Sequence, residues 1–224
     1  MNTVAPSTSS SRPSPAGAVI ILAAGASTRL GRPKQLLPFR GRSLLRHAAE
    51  TALASSCRPV VVVLGAFADR LGRELSGLPV TIAMNPQWQE GISSSIRAGL
   101  KALPPERTGP DAVLIMLCDQ PLVPAQFLDR LLAVHQSSGS GIVAAEYGGQ
   151  PGVPALFSRD YFAELAALCG SGGAKPIIVK HAKLSRRIPL PEAALDIDCQ
   201  EDVASLGRLP DASWPDGLEN GRGG

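Results

Sequence analysis

The chain has 224 residues, 44% of them hydrophobic, and a formal net charge of +3. That length supports one well-buried domain rather than two, and the small, dispersed charge excludes the basic stripe of a nucleic-acid binder. The four cysteines lie far apart with no Cys-x-x-Cys pair, no apolar run approaches a membrane span, and the N-terminus lacks a signal-peptide core. The expected setting is therefore reducing and cytoplasmic, away from membranes.

Residues 1–15, rich in serine and proline, read as a disordered tail. Ala18 to Leu22 then reads as a buried strand. The loop after it combines small residues (Ala23, Ala24, Gly25, Ser27) with Arg29, Arg32 and Lys34. Small residues let backbone N–H groups approach a ligand and form an anion-binding concavity. The cations beside them point to a polyphosphate: Arg29 can fork two oxygens, and Lys34 offers a compact charge for one. The spacing is neither Gly-x-x-x-x-Gly-Lys-Ser/Thr nor the dinucleotide fingerprint. An ordinary surface loop with scattered basic residues is the competing reading.

Ser43 is placed to cap a helix from Leu44 to Ser55, whose apolar residues recur at helical spacing. A strand over 59–64, ended by Gly65, a short helix over 68–75 and a strand over 80–83 follow. Ser93, Ser94 and Ser95 stand where the next helix begins, able to hold a phosphate or a base edge, or simply to cap it. Ala112 to Leu117 is a further buried strand. It delivers Cys118, read as a buried reduced thiol, and then Asp119. A carboxylate at the carboxyl end of an apolar strand calls for a cation, and Mg²⁺ held by Asp119 would bridge nucleotide phosphates in the first loop. Capping of the following turn is the alternative.

A helix over 125–135 and a strand over 142–145 precede Gly148 to Phe157, whose glycines and prolines suit a hairpin or a lip over a cleft. Ser158 is placed to cap a helix reaching Leu168. The segment from Cys169 to Lys175 repeats the small-plus-basic theme: Lys175 can meet a phosphate, or stand solvated. Asp198 followed by Glu201 marks a helix start. Residues 208–224 read as a disordered tail in which Trp214 is the one residue able to dock. His47, His135 and His181 read as surface or packing residues. Alternating strands and helices give an α/β three-layer sandwich with a mainly parallel sheet over 16–207.

Leu22 to Pro38 reads Leu-Ala-Ala-Gly-x-Ser-x-Arg-x-Gly-x-Pro-Lys-x-Leu-Leu-Pro and resembles the signature of the MobA-like nucleotidyltransferases. The branch it most resembles is that of the molybdenum cofactor cytidylyltransferases (MocA-like). Asn85 to Leu100, Asp119-Gln120-Pro121-Leu122-Val123 and Gly152 to Phe157 are similar to further segments of that family. Ser171 stands where the family usually has aspartate, while Gly173, Ala174 and Lys175 match. The resemblance implies a Rossmann-like sheet of the nucleotide-diphospho-sugar transferase type. It implies transfer of CMP from CTP to molybdenum-bearing molybdopterin with release of pyrophosphate, for delivery to a molybdoenzyme or its maturation chaperone.

In that scheme Leu22, Ala23, Ala24, Gly25, Ser27 and Lys34 hold the nucleotide, with Ser93 to Ser95 on the base and pterin side. Arg29 and Lys34 serve the triphosphate, Asp119 and Asp198 hold Mg²⁺, and Gly152 and Lys175 face the acceptor. A guanylyltransferase would carry Leu-Ala-Gly-Gly, against which Ala23-Ala24 favours CTP. A sugar- or polyol-phosphate nucleotidyltransferase, or a family member acting on another heteroaromatic compound, would keep the loop and change the acceptor pocket. Intact Arg29, Lys34 and Asp119 argue against a regulator or chaperone that has lost chemistry.

Overall fold

The computed structural model describes residues 17–197 and Asp202. The two expected tails, Asp198, Cys199 and Trp214 lie outside the described residues. Nine strands and six α-helices are described: β1 (Ala18–Leu22), β2 (Pro38–Phe39), β3 (Arg42–Ser43), α1 (Leu44–Ala54), β4 (Val60–Leu64), α2 (Ala68–Glu74), β5 (Thr81–Met84), α3 (Ile92–Lys101), β6 (Ala112–Leu117), α4 (Ala125–Ser138), β7 (Ile142–Tyr147), β8 (Gln150–Ser158), α5 (Phe162–Ala166), α6 (Lys175–Lys180) and β9 (Arg186–Pro189).

Seven strands form one sheet in the order β5-β4-β1-β6-β8-β7-β9, with β8 alone running against its neighbours. β2 and β3 make a small separate hairpin. Side chains alternate across β1: Val19 and Ile21 join the core under α1, α2 and α4, while Ile20 and Leu22 join the core under α3, α5 and α6. Both faces are thus covered, and β1 and β4, buried at every position, carry continuous apolar runs for that reason. The result is the expected three-layer sandwich with a mainly parallel sheet. Ser43 caps α1 as its position suggests, accepting the Arg46 N–H. Among the described residues, no helix is long and apolar enough to cross a membrane.

The structure departs from the sequence reading in three places. The segment expected as a hairpin or a lip is a hairpin, closed by Tyr147 opposite Gln150, but Pro151, Gly152 and Pro154 lie within the nine-residue strand β8 and not outside an element. Its prolines are tolerated because the ladder is interrupted around them. β6 pairs only with Ala155 to Ser158, which leaves Pro151 beyond its reach. The β7 register slips between Ala144 and Ala145, skipping Val153 and Pro154. The helix expected from Ser158 to Leu168 is a 3-10 turn at Arg159–Tyr161 followed by the short α5. Ser158 is still held in the sheet by Gly141, and the Leu168 carbonyl turns away to the Arg97 guanidinium at 2.6 Å. Finally, α6 and β9 occupy a stretch whose apolar residues are too few to show a period. The histidines sit in packing roles: His47 meets the Pro121 carbonyl, His135 that of Ser140, and His181 pairs with Glu164.

Candidate active site at the sheet switch point

From β1 the chain first builds outward through β4 and β5, then returns to add β6 on the other side. The connections after β1 and β6 therefore diverge, opening the crevice in which doubly wound sheets bind their ligands. The loop after β1 is tied down at its base, where the Ala23 N–H reaches the Val63 carbonyl at 3.0 Å. Its outer half is held by Gln35, a side chain 1% exposed. The Gln35 amide donates to the carbonyls of Ala23 (3.0 Å) and Gly25 (2.7 Å), and its oxygen accepts from the Ser27 hydroxyl at 3.3 Å. Ser27 itself has φ 54°, a left-handed backbone uncommon for serine, and its hydroxyl also accepts the Lys34 N–H at 3.0 Å.

Gln35→Leu keeps the bulk and orphans the loop carbonyls. It is expected to cost about 1–3 kcal/mol, seen as a melting temperature lower by several degrees, with weaker nucleotide binding by calorimetry. An unchanged melt and unchanged affinity would show that the loop holds its shape without this strut.

The crevice contains a cavity of about 350 Å³. Leu22, Ala23, Ala24, Gly25, Ser27, Lys34, Ser95 and Asp119 all line it, together with Gln35, Trp88 and Gln89. Arg29 stands outside the lining, exposed on the 3-10 turn Thr28–Leu30. Asp119 is buried, and its Oδ2 pairs with Lys34 Nζ. Its Oδ1 is buried, with no hydrogen-bond partner among the described residues. The Asp119 carbonyl accepts the Ile197 N–H at 3.1 Å, and fully buried Ile197 packs with Leu30, Leu37, Phe39 and Leu44. Ile197 is thereby brought beside the loop after β1. Next to Asp119, burial and then the carboxylate push the Cys118 thiol up, keeping it protonated.

The serines at the start of α3 are committed to different partners. The N-cap is Gly91, at φ 105°, where a Cβ would come within 2.8 Å of the Gly170 carbonyl. Ser94 donates to the Gly91 carbonyl at 2.7 Å, and Ser93 to that of Cys169 at 3.2 Å. The Asn85 amide lies between Ser94 and Ser95, at 2.9 and 3.0 Å from their hydroxyls. Ser93 and Ser94 face inward to join α3 to its neighbours, and Ser95 is the serine that reaches the cavity.

A second cavity of about 210 Å³ adjoins the first, sharing Leu22, Ile92 and Leu117 as its wall. Gly152, Ser171 and Lys175 line it, with Tyr147 and the apolar Ile96 and Ile115. Gly152 leaves room for Tyr147, because a Cβ there would collide with the tyrosine hydroxyl. That hydroxyl donates to the Val153 carbonyl at 3.0 Å and stands 3.4 Å from the Gln120 amide nitrogen. Burial, and then the negative charges of Asp196 and Asp119, raise its pKa, so it stays neutral. Gln35, Tyr147 and Gln120 were not singled out by the sequence reading. Gln35 sits in the Lys34-x-Leu-Leu-Pro stretch and Gln120 in the Asp119-Gln120-Pro121 segment, where position within a family-like motif is the signal each offers; Tyr147 carries none.

The family model of the MobA-like NTP transferase domain matches residues 19–184. The chain belongs to this family. Among MobA-like relatives and neighbours, it is 42% identical over 118 residues to nicotine blue oxidoreductase of Paenarthrobacter nicotinovorans, covering 52% of this chain and 56% of that protein. It is 32% identical to the crystal structure of an Rv0371c homologue from Mycobacterium sp. strain JC1, with TM-score 0.76 over 87% of this chain and 98% of that one. Rv0371c of Mycobacterium tuberculosis H37Rv, crystallised in complex with manganese, is 27% identical, with TM-score 0.71 over 85% and 97% of the two chains. The chain thus spans little more than half of the curated relative, and nearly the whole of these two crystal structures. What membership shows is a MobA-like NTP transferase domain over residues 19–184.

Proposed function

We propose that this MobA-like protein transfers CMP from CTP to the terminal phosphate of a molybdopterin-type acceptor. The observation that carries this reading is the pair of adjoining cavities. One holds the small-residue loop with the Lys34–Asp119 pair, and the other is apolar-walled with Lys175 at its lining. An acceptor phosphate oxygen attacks the α-phosphorus of CTP, the bond to the bridging oxygen breaks, and pyrophosphate departs with that electron pair. The nucleophile is already ionised, so no strong general base is required; alignment and charge neutralisation carry the rate.

The loop N–H groups and Lys34 hold the triphosphate, with Arg29 closing on it from the rim. The buried, unpartnered Oδ1 of Asp119 fits a hard divalent cation, and the manganese complex of the Rv0371c relative supports one in this family. Asp119 would hold Mg²⁺ with Asp198 as the second ligand. When bound, such an ion withdraws charge from the phosphates being separated. Ser95 serves the base side, and Gly152 and Lys175 the acceptor.

CTP is favoured over GTP by Ala24, a residue of the first cavity's lining whose methyl lies beside Gly65, where the guanylyl branch has glycine. Purified protein incubated with Mg²⁺, molybdenum-bearing molybdopterin and either CTP or GTP should release pyrophosphate faster with CTP. GTP used at least as well would overturn the nucleotide assignment. Release with a sugar phosphate in place of the pterin would overturn the acceptor.

A further inference from the structure

Resting on the acceptor reading above, we propose that Tyr147 is a specificity-determining residue of the second cavity and accepts a hydrogen bond from an N–H group of the acceptor. A phenol has one hydrogen to give and lone pairs with which to receive. Tyr147 gives its hydrogen to the Val153 carbonyl at 3.0 Å. The Gln120 amide, which also donates to the Ala193 carbonyl at 3.0 Å, approaches the same oxygen from 3.4 Å, the long end of hydrogen bonding. With its hydrogen directed to Val153 inside the hairpin, the hydroxyl presents its lone pairs to a ligand in the cavity it lines.

The partner is therefore a donor. Ile96, Ile115 and Val153 supply apolar surface that suits a flat ring and leaves the hydroxyls of a sugar unpaired. Lys175 in the same lining suits a phosphate. Together they select a phosphorylated heterocycle bearing an amino group or ring N–H, as a pterin does. The placement is built into the strands. Tyr147 closes the β7–β8 hairpin opposite Gln150, and Gly152 is the position whose missing side chain lets the phenol lie across the strand.

The test uses a pterin monophosphate and its counterpart dimethylated on the exocyclic amine, with binding to the full chain measured by calorimetry in the absence of turnover. The unsubstituted protein is expected to prefer the free amine by about three- to ten-fold, the worth of one neutral hydrogen bond. Tyr147→Phe should bind the two compounds equally, with CTP affinity unchanged. Gly152→Ala, which drives the ring out of place, should lose the same discrimination and guards against a folding defect peculiar to the first variant. If Tyr147→Phe discriminates as well as the parent does, the tyrosine only braces the hairpin and the proposal fails while the acceptor reading stands. If the parent binds neither compound, the pterin reading itself falls, and this assignment with it.

Discussion

Asp119→Asn is expected to lower the turnover number by about a hundred- to a thousand-fold while leaving the melting temperature nearly unchanged, the size of effect found when one charge-stabilising group is removed from a transferring centre. The small stability cost follows from the geometry. Among the described residues, one carboxylate oxygen makes no hydrogen bond and the other meets Lys34. Asparagine keeps the shape and can still present an oxygen to Lys34. What it removes is the negative charge that draws a divalent cation to a buried oxygen. Rates measured beside thermal melts separate the two roles. A variant that loses several degrees but keeps its rate would make Asp119 a structural residue. Titrating Mg²⁺ into the variant should raise the concentration needed for half-maximal rate.

Lys34→Met is expected to fall mainly in kcat, by a similar two to three orders of magnitude, because a cation near the α-phosphate and the departing pyrophosphate acts most as charge redistributes in the transition state. Methionine keeps the length of the stem and removes the charge, and with it the ion pair to Asp119. Arg29→Lys is the informative companion. Arg29 lies on the rim and not in the cavity lining, so its contribution should show in KM for CTP, where one ammonium cannot reproduce a two-pronged contact. Initial-rate kinetics with CTP varied at saturating acceptor distinguish them. A fall in kcat for Arg29→Lys together with an unchanged kcat for Lys34→Met would reverse the two assignments.

Strands β1, β4 and β6 were legible because they are buried on both faces, which makes their apolar runs continuous, whereas β8 and β9 carry no such run. The small residues and Lys34 on the first loop, and Asp119 after β6, could be picked out because a strand end is where such a sheet places its chemistry. The roles of Ser93 to Ser95 were not legible. All three hydroxyls look alike in sequence, and only the three-dimensional positions of Asn85, Gly91 and Cys169 decide which one reaches the cavity. Gln35 was hidden for a related reason: a side chain whose partners are backbone carbonyls needs no complementary residue type anywhere else in the chain. The prolines of β8 misled because their penalty depends on whether a neighbouring strand is present, which is a property of register and not of composition.

The wall common to the two cavities has a consequence for water. Leu22, Ile92 and Leu117 are common to both linings and none of the three can take a proton, while Asp119, the carboxylate nearby, is held by Lys34 and, on the proposed assignment, by a metal ion. A phosphate monoester arrives already deprotonated and needs no help there. A water molecule in the same place would have to shed a proton against hydrocarbon. On the proposed assignment, the seam therefore protects CTP from wasteful hydrolysis while the second cavity waits to be filled, through what its side chains lack.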